Sequence, residues 1–332
     1  MYTKYYGLRK NPFDLTTDSG PVFMGESHQE ALAVLRYGVM ERKGFLLLTG
    51  DVGTGKTTLL HLLLRSLDRQ VRVCLLSNPS LTVDDFYYTL AAGFGLTPYA
   101  GSKARFMEEF TAFLAKSGRA GERVLLIIDE AQVLPVELLE EIRLLSNQQG
   151  AAAGVLGVFL VGQPELNQRL GGQRLLPLRQ RIAIRFHLES FDRAATAGYI
   201  TFRLQQAGAR RFDLFSAAAI DLIHKASGGV PRLINILADQ ALLTGFAESR
   251  PVIEAETVRA CVQDLHIPGE AEPLPLPVGK AWQGRRPALW GAGLAALLLV
   301  LAGVWIWQGG YFAEPEGMVQ AVRRLFNSWA RF

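Results

Sequence analysis

The chain has 332 residues, enough for about two domains, and 49% of them are hydrophobic, enough to fill two cores. Its 10% aromatic and 20% charged residues exclude a disordered or low-complexity protein. The formal charge of +4 sits in the tail: residues 280–332 hold six Lys/Arg against two Glu, which leaves the first 279 residues with 29 charges of each sign and no broad nucleic-acid footprint.

The opening, MYTKYYGLRKNPF, has neither an apolar core nor a small-residue cleavage site, and is not read as a signal peptide. Beyond it, apolar runs predict strands at 44–49, 71–77, 123–128, 154–161 and 182–188. Amphipathic patterns predict helices at about 56–68, 82–95, 103–117, 136–148 and 164–170. Short, continuously apolar strands separated by helices point to a parallel α/β sheet covered on both faces. After about residue 190 the strand signals stop, and 192–207, 216–227, 231–247 and 254–265 read as four helices, with Gly-Gly-Val-Pro at 228–231 as a breaker. The expected domains are thus 1–190 (α/β) and 191–266 (helical). The two cysteines, Cys74 and Cys261, stand in no CxxC or Cys/His cluster and are read as reduced thiols.

Residues 50–57, GDVGTGKT, fit the pattern G-x-x-x-x-G-K-[ST] between a predicted strand and a predicted helix. Glycines let successive backbone N–H groups turn inward around phosphates, and the following helix offers its positive end. Gly50, Asp51, Val52, Gly53, Thr54, Gly55, Lys56, Thr57 and Thr58 are the candidate cradle for ATP. Lys56 is placed for the β- and γ-phosphates and Thr57 for Mg²⁺. The run VLLIIDE at 124–130 ends in Asp129, a candidate for the Mg²⁺ shell, and Glu130, a candidate for polarising the attacking water. An acidic strand end is a weak signal alone; beside a phosphate loop it points to hydrolysis rather than mere binding.

These motifs resemble AAA+ ATPases of the ExeA/GspA-like type, the ATPases of general secretion and related envelope-assembly loci. The resemblance rests on the phosphate loop, IIDE, QPEL at 163–166, LRQR at 178–181, GGVPRLIN at 228–235, the N-terminal MYTKYYGLRKNPF and HQEALAVLRYG at 28–38. It covers residues 1–265 and implies a P-loop NTPase sheet of the AAA+ type carrying a small all-helical lid. It also implies roles residue by residue: Asn78 restraining the catalytic Glu, Gln163 in the sensor-1 place, Arg179 or Arg181 as an arginine finger toward a neighbouring subunit, and Arg232 as sensor 2. The finger implies a homo-oligomer. Five arginines (169, 174, 179, 181 and 185) without an intervening acid suit a subunit edge facing phosphate. Better-known secretion members carry a periplasmic peptidoglycan-binding module, and none is expected here.

Residues 267–287 include five prolines and read as a semi-extended linker with a reach of about 60 Å. Residues 288–307, ALWGAGLAALLLVLAGVWIW, form a charge-free run of 20 that would span a hydrocarbon core as one transmembrane helix. Trp290, Trp305 and Trp307 flank it as interfacial anchors. Because ATP is cytosolic, the ATPase is expected in the cytoplasm, the helix in the inner membrane, and the amphipathic tail 308–332 outside. The reading is a membrane-anchored ATPase that drives or regulates assembly of an envelope secretion or export system, with a secretion or envelope-assembly protein as partner. The alternative is a nucleic-acid-associated AAA+ ATPase of the transposition-regulator type, against which the neutral body and the membrane segment both count.

Overall fold

The computed structural model describes residues 1–15, 20–77, 81–147 and 154–265. All of them fall in one compact unit, Met1–Glu270. Two helices precede the sheet, α1 (Tyr2–Tyr5) and α2 (Glu26–Met40). Strands and helices then alternate: β1 (Phe45–Gly50), α3 (Lys56–Ser66), β2 (Val71–Leu76), α4 (Val83–Phe94), α5 (Lys103–Arg119), β3 (Arg123–Ile128), α6 (Val136–Leu145), β4 (Leu156–Gly162), α7 (Glu165–Leu170), α8 (Leu176–Arg181) and β5 (Ile182–Leu188). The expected order is observed, with strand ends shifted by one or two residues.

All five strands are parallel, in the order β2-β3-β4-β1-β5. Alternate side chains serve opposite faces. Leu46, Leu48, Ile127 and Phe159 pack with Ala31 and Leu35 of α2 and Leu59 and Leu63 of α3. On the other face, Leu47, Leu126, Ile128 and Leu160 meet Phe86 and Leu90 of α4, Phe110 of α5 and Leu139 of α6. The interior strand β1, between β4 and β5, is buried at every position, as its FLLLTG run requires. The edge strand β5 exposes Ala183, Arg185 and His187, the alternating residues of IAIRFHL.

Beyond β5 the described residues are helical: α9 (Arg193–Gln206), α10 (Ala217–Ser227), α11 (Pro231–Ala247) and α12 (Ala255–Asp264). Asp192 and Ser216 cap α9 and α10 by accepting the N–H groups of Ala195 and Ala219. Pro231 opens α11 at the position where a missing N–H costs nothing. The four helices share a core with Tyr6, Leu8 and Phe13 from the N-terminus and with Phe191 from the end of β5. The breaker works through Gly229, which has φ +74° and lies so close to Phe191 that any Cβ would overlap its carbonyl oxygen. The Phe191 N–H in turn donates to Gly229 O at 2.9 Å.

Among the described residues, no helix is long and apolar enough to cross a membrane. The predicted span at 288–307, the linker and the tail lie outside the described residues, as does Asn78. Both cysteines are free and buried, and burial pushes the Cys74 thiol up to about 11.

Candidate active site

The loop between β1 and α3 is built as its glycine spacing demands. Gly53 and Gly55 have φ +83° and +100°, conformations that L side chains rarely adopt. The fully buried Thr54 closes the turn, its hydroxyl donating to Asp51 O at 2.9 Å. Lys56, 5% exposed, folds back onto the loop and donates to Gly50 O at 2.8 Å and Asp51 O at 2.9 Å. Burial lowers the pKa of its ammonium, while the negative charges of Glu130 and Asp129 pull it back up. The loop thus keeps a cation at its centre, bonded among the described residues to two carbonyl oxygens.

At the end of β3, Asp129 is 3% exposed and uses both oxygens. Its Oδ2 accepts the Thr57 hydroxyl at 2.7 Å, and its Oδ1 accepts the Glu130 N–H at 2.9 Å. The parallel sheet makes this meeting possible, because β1 and β3 flank β4 and end at the same carboxyl edge of the sheet. Thr57 and Asp129 offer the hard oxygen donors that Mg²⁺ takes. Glu130 follows in the left-handed region, φ 53° and ψ 35°. Its Oε2 accepts from Gln132 Nε2 at 2.6 Å and from Gln163 Nε2 at 3.3 Å. Gln163, directly after β4, therefore touches the Glu130 carboxylate.

Arg232 starts α11 beside the same loop. Its backbone N–H donates to Gly53 O at 3.3 Å. Loop, acidic strand end and first helical turn border one cleft of about 590 Å³, lined also by Phe23, Phe191, Tyr199 and Asn235. That volume is in the range of small-molecule sites.

The two candidate fingers stand on α8, away from this cleft, and they differ. Arg181 is engaged within its own chain: it donates to Arg143 O at 3.2 Å and also to Ser146 Oγ and Asn147 Oδ1. Arg179 is exposed, and no side-chain partner is found for it among the described residues. Of the other three arginines in the run, Arg169 donates to the carbonyls of Gln132 and Leu134. Arg174 pairs with Glu137 at 3.3 Å, and Arg185 donates to Arg179 O at 2.9 Å. Four of the five, all but Arg169, stay exposed while making these contacts within the chain.

Three residues near the site escaped the sequence reading. Gln132 and Arg169 fix the turn that carries Glu130. His28, from α2, sits under the loop with its Nε2–H donating to Thr54 O at 2.8 Å and its ring 4.9 Å from that of Phe191. A carbonyl only accepts, so the proton is on Nε2, and the buried Nδ1 has no partner among the described residues. Burial lowers the His28 pKa against the smaller opposing pull of the Thr54 carbonyl. Only Gln132 had a local signal, its place two residues after Glu130.

Residues 39–170 match the family described as "AAA domain". The chain is 39% identical over 320 residues to General secretion pathway protein A of Aeromonas hydrophila, covering 95% of this chain and 55% of that protein. It therefore spans about half the length of the curated relative it matches. Among solved structures, the Aeropyrum pernix ORC2 protein in ADPNP–ADP complexes aligns with a TM-score of 0.56 at 16% identity, covering 77% of this chain and 71% of that one. Cdc6p from Pyrobaculum aerophilum aligns with a TM-score of 0.57 at 15% identity, covering 76% and 70%. At such identities the likeness speaks for the fold. With its phosphate loop and acidic strand end in hydrogen-bonding contact, the AAA domain at 39–170 marks the chain as an ATPase.

Proposed function

We propose that this chain is a membrane-anchored ATPase that uses ATP binding and hydrolysis to drive or regulate assembly of an envelope secretion or export system. The observation that carries this reading is the 39% identity to General secretion pathway protein A across 95% of the chain. The charge-free run at 288–307 supports the anchor, with the ATPase on the cytoplasmic side of the inner membrane.

In this reading Lys56 exchanges the Gly50 and Asp51 carbonyls for β- and γ-phosphate oxygens. Thr57 and Asp129 would hold Mg²⁺, which when bound neutralises charge on the phosphates. Glu130 polarises the attacking water. Arg232 brings a charge from the helical part to the phosphates, and Gln163 lies where it can sense them. Asn78 keeps its proposed part as a restraint on Glu130. Arg179, exposed and with no side-chain partner among the described residues, is the finger offered to a second copy of the chain, whereas Arg181 braces α8 against the end of α6. The working form is then a homo-oligomer with ATP between neighbouring copies.

The anchor is tested by fractionation. The full-length chain should stay with membranes through a carbonate wash, and a chain ending at residue 280 should not. Replacing Leu298 and Leu299 with Arg should release much of the protein, since each charge near a bilayer centre costs roughly 2.5–3.5 kcal/mol. A Lys56→Ala chain should remain anchored and stop export in the host cell. Full-length protein released by carbonate, or export unaffected by Lys56→Ala, would contradict the proposal.

A further inference from the structure

Glu130 is gripped by one of its two oxygens. Both amide donors reach Oε2, from Gln132 at 2.6 Å and Gln163 at 3.3 Å, and Oε1 accepts no hydrogen bond among the described residues. The Gln132 side chain is held at its other end too: its Oε1 accepts the Gln163 backbone N–H at 3.0 Å. One amide thus joins the end of β4 to the candidate base. Gly162 makes the room, since a Cβ there would stand 2.5 Å from Gln132 Oε1 and 3.2 Å from Gln132 N. From the far side, Arg169 of α7 donates to the carbonyls of Gln132 and Leu134, fixing the backbone of the turn. The turn needs such bracing, because Glu130 has φ 53°, and a non-glycine residue there costs about 1–3 kcal/mol that its surroundings must offset.

We propose that Gln132 is a positioning residue for hydrolysis: its amide holds Glu130 Oε2 so that Oε1 is the oxygen presented to water, and ties that orientation to Gln163 at the end of β4. The proposal rests on the reading of Glu130 as the base. In the step it serves, a water proton passes to Glu130 Oε1 while the water oxygen bonds the γ-phosphorus and the β–γ bridging bond breaks, leaving ADP and inorganic phosphate. Gln163's bond to Glu130 is the longer of the two. When the Gln163 amide turns to a phosphate oxygen, the Gln132 bond stays and keeps the carboxylate aimed. Gln132 thereby passes the state of the β4 end to the base without itself touching the nucleotide.

The test uses the full-length chain with Gln132→Glu. This variant keeps the size of the side chain and an acceptor for the Gln163 N–H, but cannot donate to Glu130. Turnover should fall roughly 10- to 100-fold, the loss typical of a misaimed catalytic group, with ATP affinity unchanged and the chain still folded at the assay temperature. Gln132→Ala, measured alongside, should show the same split between kcat and KM. In a Glu130→Gln background, Gln132→Glu should cause no further loss, because the two changes remove one function. If Glu130→Gln is inactive but both Gln132 variants turn over at the wild-type rate, the positioning role is wrong and the base stands. Loss of turnover that only follows weaker ATP binding or unfolding in both variants would equally overturn it. If Glu130→Gln itself turns over normally, the reading of the base fails instead.

Discussion

Arg232 and Gly53 are in backbone contact: the Arg232 N–H donates to Gly53 O at 3.3 Å, and a Cβ placed on Gly53 would stand 2.7 Å from that of Arg232. The first turn of α11 therefore rides directly on the phosphate loop, as the proposed role of Arg232 toward phosphate requires. Arg232→Ala should lower turnover by roughly tenfold or more by removing a charge-assisted contact to phosphate. Gly53→Ala should weaken ATP binding, because it crowds Arg232 at a φ of +83°. Steady-state kinetics and nucleotide titration separate the two effects. Equal turnover in Arg232→Ala and wild type would remove this residue from the site.

The two finger candidates should part company. Arg179→Ala should lower turnover without weakening ATP affinity, and mixing it with Glu130→Gln subunits should restore part of the activity by pairing intact halves. Arg181→Ala should act on stability, since it removes donors to Arg143 O, Ser146 and Asn147 at an exposed site, a loss of about 0.5–1.5 kcal/mol. Thermal melts and turnover measured against protein concentration decide between them. Concentration-independent turnover by a monomer would contradict a finger acting in trans.

His28 gives the fold a pH dependence of defined sign. Its folded pKa lies below the ordinary histidine value of 6.5, because burial penalises the imidazolium. Above 6.5 neither state is protonated there, and the stability is fully present. As pH falls below that value the unfolded chain takes up a proton that the folded chain resists, so stability is lost down to the lowered folded pKa. His28→Gln, which can still donate to Thr54 O, should remove this part of the acid sensitivity. Melting temperatures of the two proteins compared between about pH 8 and about pH 5 report it directly. Parallel profiles would show that His28 does not titrate on unfolding.

Gly229→Ala should be among the most disruptive single changes. It forces a Cβ into the Phe191 carbonyl at a φ of +74°, a combination of overpacking and backbone strain. A destabilisation of about 3 kcal/mol or more is expected, read by denaturant titration. A melt indistinguishable from wild type would mean that Phe191 and Gly229 move apart at little cost.

How much of this was legible in the sequence depended on how local each signal was. Strands β1 and β3 announced themselves by continuous apolar runs, β5 by an alternating one and helices α9–α12 by helical spacing, and their ends fall within one or two residues of expectation. The phosphate loop is contiguous, so Lys56, Thr57 and its glycines were readable without a fold. Helix α8 was not, because six residues with a leading Leu-Pro carry too little periodicity to mark a helix. Arg169 and Arg181 looked alike in a run of basic residues, and only packing shows that both are bonded to their own chain. His28 belongs to the site through its contact with Thr54, 26 residues away, which no spacing rule connects, and the nearness of Gln132 to Glu130 says nothing of its bond to the Gln163 N–H, 31 residues away.

The central claim is that one site binds ATP through Lys56 and hydrolyses it through Glu130, and paired measurement of nucleotide binding and turnover on the full-length chain tests it most directly. Lys56→Ala should lose both. Glu130→Gln should bind ATP as wild type does, with turnover reduced by roughly 100-fold or more, the loss expected when a general base is removed. A Lys56→Ala chain that still binds ATP, or a Glu130→Gln chain with wild-type turnover, would contradict the account.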